Sequence, residues 1–149
     1  MEDIVKIDRF QEIPRDGIFC DLMWADPIDN KTGEMKEFAK PNHLRGCSYF
    51  FGADSARYFL KKNKLLCILR AHEAQANGFK MHNWFGDKSF PAAITIFSAP
   101  NYCDFYNNKG AIMKIINNEI DIQQLVSEPH PYHLPEFKDA IHWSLPFLA

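Results

Sequence analysis

Apolar positions along this chain come in short runs separated by polar punctuation. Residues 65–69 (Leu-Leu-Cys-Ile-Leu) read as a buried strand, with Arg70, His72 and Glu73 where it ends. Residues 92–97 read as a second buried strand, followed by a loop over 98–106. Residues 111–116 and 119–126 are two further strands, and the Asn117-Asn118 pair between them tolerates the positive φ angles of a tight hairpin turn. Alternation in the second of these sends Ile120, Ile122 and Gln124 one way and Asp121, Gln123 and Leu125 the other. Helical signals are fewer. Asp54-Ser55-Ala56 opens a helix running to about Asn63, with Asp54 or Ser55 as cap and Tyr58 and Phe59 on its buried side. Ile4, Val5, Ile7 and Phe10 could share one side of a helical turn, ended by Pro14 and Gly17. Asp26-Pro27 imposes a turn or an extended segment. Residues 29–40 read as a polar surface loop, 75–89 as a loop or weak hairpin, and the Pro-rich stretch from Ser127 as an extended strap.

Composition narrows the class. A length of 149 residues, 46% of them hydrophobic, suits one folded domain with a real core. The 13 Phe suit a sandwich core or exposed docking grooves. A net charge of −2 leaves no basic stripe to release counterions, so no nucleic-acid partner is expected. Lys61-Lys62-Asn63-Lys64 reads as a solvated helix end. No apolar run approaches the roughly 20 residues of a membrane span, so no membrane partner is expected either. Cys20, Cys47, Cys67 and Cys103 form no CxxC and follow no signal peptide, which points to reduced thiols and a cytoplasmic location.

Three stretches carry candidate chemistry. His72 follows an apolar run, where a histidine can ligate a metal through one ring nitrogen while the other is held by an acceptor. Alone, such a residue is more often a packed core histidine. Arg45, before Gly46, offers a guanidinium fork suited to phosphate. Tyr102 sits in a loop between strands, where its hydroxyl and ring could wall a pocket.

In order and spacing, Arg45-Gly46-Cys47-Ser48-Tyr49-Phe50, Arg70-Ala71-His72-Glu73 and Ser98-Ala99-Pro100-Asn101-Tyr102-Cys103 with Tyr106-Asn107-Asn108 form one pattern. With Ile7-Asp8-Arg9-Phe10, Trp24-Ala25-Asp26-Pro27, Pro129-His130-Pro131-Tyr132 and Trp143-Ser144-Leu145-Pro146-Phe147, the pattern covers essentially the whole chain. It resembles the second half of the catalytic domain of the metal-dependent serine/threonine phosphoprotein phosphatases, most closely their calcineurin branch. The resemblance implies an α/β fold, a calcineurin-like metallophosphatase β-sandwich flanked by helices, of which residues 1–149 supply the C-terminal half.

It also implies roles. His72 would be one ligand of a two-metal site holding iron and zinc, or manganese. Arg45 would grip the substrate phosphate and Tyr102 would line the cleft. Trp24, Asp26, Asn101 and Cys103 would shape that cleft, Trp24 and Asp26 with a packing role as the plain alternative. Cys103 departs from calcineurin itself and resembles the type-1 and type-2A phosphatases; it is not a nucleophile, because the mechanism needs none. Asp121, Ile122 and Gln123 would lie on the edge strand that docks substrate peptides by β-addition, where calcineurin carries asparagine and arginine in place of Asp121 and Gln123. His130, His133 and His142 resemble a metal cluster, but the prolines between them favour surface packing.

The family's G-D-x-H-G, G-D-x-V-D-R-G and G-N-H-E motifs, which supply the remaining ligands and the acid, do not occur in these 149 residues. The expectation is therefore an enzyme part, inactive by itself. Its substrates would be phosphoproteins, and in a full-length form a calcium-binding regulatory subunit and calmodulin would bind segments beyond Ala149. The competing expectation is a non-catalytic module that docks peptides on strand 119–126.

Overall fold

A computed structural model describes residues 1–29, 38–86 and 90–133, with Pro135, Lys138 and Ser144. Most of the loop expected over 29–40, all of the Trp143–Phe147 motif but Ser144, and His142 lie outside the described residues. The chain divides into two compact units, one of residues 1–72 and 81–94, the other of 73–80 and 95–149.

The first unit opens with α1 (Glu2–Val5) and α2 (Gly17–Trp24), followed by β1 (Asp26–Pro27). Proline disfavours helical backbone in the residue before it, so the helix cannot pass Asp26. Ala25 is already extended, and its N–H closes the helix on the Asp21 carbonyl. Strands β2 (Ala39–Pro41) and β3 (Tyr49–Phe51) complete a sheet of order β1-β3-β2. β3 runs parallel to β1, with Asp26 beside Phe50, and antiparallel to β2. The expected extended stretch at Asp26-Pro27 is thus a strand.

Next comes α3 (Ala53–Asn63), capped by Gly52 rather than by Asp54 or Ser55. The Ser55 hydroxyl instead donates back to the Gly52 carbonyl. Its buried face is Ala53, Ala56 and Leu60, not Tyr58, which is 59% exposed. Small residues are needed there because α3 packs on Trp84, Ala92 and Ala93, with Phe51, Ile68 and Phe85 around them. Phe51 meets Trp84 edge-on at 5.9 Å, a favourable aromatic geometry.

The buried strand expected over 65–69 shrinks to β4 (Ile68–Arg70), and Leu66 and Leu69 are exposed. The cause is the helix end. Lys64 takes the left-handed conformation, and the Leu65 N–H turns back to the Leu60 carbonyl. Within 75–89, expected as a loop or weak hairpin, Phe79–His82 form strand β5, with His82 and Trp84 buried. With β6 (Ala93–Ile96) these strands make a sheet of order β4-β6-β5. Ile68 N–H donates to the Ala92 carbonyl and Ala92 N–H to that of His82. The expected burial of 92–97 holds for Ala92, Ala93, Ile94 and Thr95, and Ile96 and Phe97 are half-buried. Of the expected apolar side of 1–10, Ile4 and Ile7 are half-buried beside the helical turn Glu2–Val5, whereas Val5 is largely and Phe10 almost fully exposed.

The second unit holds the hairpin of β7 (Gly110–Ile116) and β8 (Glu119–Leu125). Asn117 and Asn118 turn it at φ 51° and 64°, as their side chains permit. Gly78 (φ 74°) approaches the backbone of Gly110 so closely that no Cβ fits, and its carbonyl accepts from Phe97 N–H.

Candidate functional site

The first unit builds a cluster on the carboxylate of Asp26, which is 6% exposed. Its Oδ2 accepts from Arg45 Nε at 2.8 Å and from Asn42 Nδ2 at 2.8 Å. Its Oδ1 accepts from Arg70 Nη2 at 2.8 Å and from Arg45 Nη2 at 3.2 Å. Burial pushes the Asp26 carboxyl up. Hydrogen bonds from Arg45 and Asn42 and the charges of Arg45 and Arg70 together outweigh it, so the carboxyl lies below its ordinary range.

Arg45 is held on several sides. Its fork grips Asp26, its Nη2 donates to the His72 carbonyl at 2.8 Å, and its guanidinium lies 5.6 Å from the centre of the Trp24 ring. Its backbone N–H donates to Asn42 Oδ1 at 3.2 Å. Asn42 also closes the turn, receiving Gly46 N–H on its carbonyl and sending its own N–H to Ser48. Gly46 (φ 70°) and Ser48 (φ 60°) supply the left-handed steps this reversal needs.

His72, two residues past the end of β4, takes φ 69°. For a residue that is not glycine this is an uncommon conformation, one that persists when surroundings enforce it. Two contacts do so. Its Nδ1 lies 3.0 Å from the Met23 carbonyl, left unsatisfied at the end of α2, and its ring sits 4.7 Å from that of Trp24. A carbonyl oxygen only accepts, so Nδ1 carries the hydrogen and the lone pair of the neutral ring is on Nε2. The donor set therefore fits one ligand position on a metal. Among the described residues, no group of three His, Cys, Asp or Glu could hold an ion.

Four sequence candidates, Arg45, His72, Trp24 and Asp26, thus come together. Two neighbours were not singled out as site residues by sequence reasoning. Asn42 left one faint signal, an Asn three residues before Arg45 in an Asx-type turn. Arg70 stood in view at a strand end, but nothing local tied it to Asp26.

In the second unit, Asn101, Tyr102 and Cys103 lie on a loop shaped by Asn108. The Asn108 side chain donates to the carbonyls of Ala99 and Lys109 and accepts from Tyr102 N–H, each at 2.8 Å. Asn101 (φ 44°), Cys103 (φ 58°) and Asp104 (φ 57°) are left-handed, so the turn over Tyr102–Asp104 is irregular rather than a regular helix. Tyr102 stacks edge-on to Phe97 at 5.2 Å and stays 44% exposed. His130 Nε2 lies 2.7 Å from Asp104 Oδ1, and its ring 4.8 Å from that of His133. Asp121, Ile122 and Gln123 pair with Lys114, Met113 and Ile112, and Gln123 Nε2 donates to Asp121 at 3.0 Å. That sheet has two strands among the described residues, with β8 at its edge.

Cys67, in the first unit, and Cys103, in the second, should differ in reactivity. Burial raises the Cys67 thiol, partly offset by a backbone hydrogen bond at Ile68. Cys103 stands on the left-handed loop. Brief alkylation followed by peptide mass spectrometry should label Cys103 several-fold faster than Cys67, because the thiolate is the reacting form. Faster labelling of Cys67 would contradict the placement of both.

Residues 1–76, which contain Asp26, Arg45 and His72, match the family model described as calcineurin-like phosphoesterase, and the chain belongs to that family. Its curated relatives include the serine/threonine-protein phosphatase 2B catalytic subunits A1 and A2 of Saccharomyces cerevisiae, 48% and 42% identical over the whole of this chain. The chain spans only 28% and 29% of their lengths. Among solved structures, a serine/threonine phosphatase from Saccharomyces cerevisiae with similarity to human phosphatase PP5 superposes with a TM-score of 0.72 at 31% identity. That match covers 88% of this chain and 41% of the other.

Proposed function

We propose that this chain is part of the catalytic domain of a protein serine/threonine phosphatase. Phosphoserine and phosphothreonine proteins are its substrate class. The observation that carries the reading is the arginine–histidine pair: Arg45 Nη2 bonds the backbone of His72 while Asp26 fixes the fork. A guanidinium anchored on a buried carboxylate is pre-oriented, so little freedom is lost when it meets a phosphate. His72 Nε2 is the ligand position the chain offers to a divalent metal pair, iron with zinc or manganese. Such a pair, when bound, supplies the activated water and neutralises phosphate charge. Met23 and Trp24 hold the His72 ring in place. By family resemblance Tyr102, Asn101 and Cys103 line the cleft. The cytosol suits a chain with four thiols and no CxxC. A calcium-binding regulatory subunit and calmodulin are partners that the resemblance to the calcineurin branch suggests for a longer form.

Arg45→Ala, made in a catalytic domain that includes the missing motifs, tests this. A charge-assisted hydrogen bond contributes about 1.5–3 kcal/mol, so turnover on phosphopeptides should fall about ten- to a hundredfold. Metal content should stay the same, because Arg45 is not a ligand. Unaltered kinetics would remove Arg45 from the site.

A second reading rests on the edge position of β8. An extended peptide can add to that edge by main-chain pairing. Asp121 puts an anion where calcineurin has asparagine, and Gln123 removes its cation, so selectivity for acidic flanks should fall. Peptides differing only in flanking charge should bind the chain within a few-fold of one another by fluorescence anisotropy. A strong preference for acidic flanks would contradict this.

A further inference from the structure

Strand β8 pairs with β7 in unbroken register over Glu119–Leu125 and, among the described residues, with no other strand. The side of β8 turned away from β7 can be read from one bond. Ala111 N–H donates to the Phe97 carbonyl, not to its cross-strand partner Gln124. Ala111–Gln124 is thus a pair without mutual hydrogen bonds, and alternation makes Met113–Ile122 and Ile115–Ile120 the same. The backbone N–H and C=O of Ile120, Ile122 and Gln124 therefore point outward along the edge. Proteins commonly blunt such an edge with lysine, proline or a bulge, and β8 has none of these. One of its faces is also apolar: Ile120 and Ile122 stand opposite Ile115 and Met113, with Ile120 37% and Ile115 57% exposed.

We propose that β8 pairs antiparallel with β8 of a second copy of this chain, across a two-fold axis at Ile122, to make a four-stranded sheet β7-β8-β8-β7. Charge complementarity argues for this occupant. With the axis at Ile122, Asp121 of each copy stands opposite Gln123 of the other. A carboxylate that only accepts then meets an amide that donates, once on each side of the axis. The same two groups already suit each other within one chain, where Gln123 Nε2 donates to Asp121 Oδ2 at 3.0 Å. Ile122 meets Ile122, and the apolar face runs on from one copy to the next. Glu119 falls at the ends, opposite Leu125.

The neighbouring registers are worse. Bonds form only between outward-pointing residues, so the axis at Ile122 joins Ile122 to Ile122 and Ile120 to Gln124 twice, each pair exchanging two main-chain bonds. An axis at Asp121 would set two carboxylates face to face and keep only the two Ile120–Ile122 pairs. An axis at Gln123 would face Asp121 with Leu125 and keep only the two Ile122–Gln124 pairs. The contact is small, so the dimer is weak, with a dissociation constant on the order of 100 µM. Self-pairing needs no phosphatase chemistry, and a peptide added to the same edge would displace the second copy.

The test is sedimentation equilibrium of the folded, reduced 149-residue chain, loaded from about 10 to 500 µM, a span that brackets the expected constant. The expected result is a mass that rises with concentration from one chain toward two. Gln123→Glu puts a carboxylate opposite Asp121 at both symmetric positions and should weaken the dimer about tenfold. Gln123→Lys should tighten it by a similar factor. Ile122→Pro removes an outward N–H that β7 does not use, and should leave a monomer with the circular dichroism of the parent. If that change unfolds the chain, the two Gln123 variants, at an exposed side chain, still decide the matter. A single-chain mass at every concentration would overturn the proposal. Association that neither Gln123 variant alters would overturn it too, since the copies would then meet through another surface.

Discussion

Asp26→Ala should cost the chain about 3–5 kcal/mol, the range for removing one partner from a buried ion pair. The carboxylate is the shared acceptor of Arg45, Arg70 and Asn42. Without it both guanidiniums lose the carboxylate they share, and Arg70, its side chain only 11% exposed, loses the more buried of the two ion pairs. A domain of this size has only about 5–15 kcal/mol in total, so most of its stability should go. The measurement is the urea midpoint of variant and parent at neutral pH. A loss below about 1 kcal/mol would mean that water screens the cluster as it would a surface pair. Arg45→Ala should cost much less, because Asp26 keeps Arg70 and Asn42. That asymmetry makes Arg45 the cleaner site for an activity test.

The same carboxylate sets an acid limit. Its folded pKa is depressed below the unfolded value of about 3.9. A depressed carboxyl contributes stability that is fully present above the unfolded pKa and is lost as pH falls through the folded one. Stability should therefore decline below about pH 4, and the part due to Asp26 should be missing from that decline in Asp26→Ala.

Local features were legible in the sequence where local chemistry decides them. The β7–β8 hairpin was readable because its turn depends on two adjacent residues, Asn117 and Asn118. The extent of α3 was readable for the same reason, but its face was not. Large aromatics suggested Tyr58 and Phe59, whereas contact with Trp84 selects Ala53 and Ala56, which let the helix come close. The apolar run 65–69 misled because a helix end and a strand start share it. At the site, motifs pointed to Arg45 and His72. The carboxylate that anchors Arg45 drew partners 16, 19 and 44 residues away, and no periodicity records such a meeting. The left-handed His72 was equally hidden, since its conformation is enforced by Met23 and Trp24 from another element.

Assayed by itself with manganese and an aryl phosphate, the 149-residue chain should show no hydrolysis above the metal-only background. A two-metal centre needs several anionic and imidazole ligands, with an oxygen ligand bridging ions about 3.5–4 Å apart. His72 offers Nε2 alone. Asp26, the carboxylate nearest in the cluster, is fully engaged by two arginines and an asparagine and cannot turn to an ion without stranding them. Glu73 is adjacent in sequence, yet no group of three candidate ligands forms among the described residues. One neutral imidazole competes poorly with water for a divalent ion, and the G-N-H-E histidine that would protonate the leaving oxygen does not occur in the chain. Arg45 can then do no more than collect a phosphate. The assay should be run on folded chain, with His72→Gln alongside. Steady turnover that disappears in His72→Gln would show that a working metal site assembles from these residues, and the proposed division of the catalytic domain would be wrong.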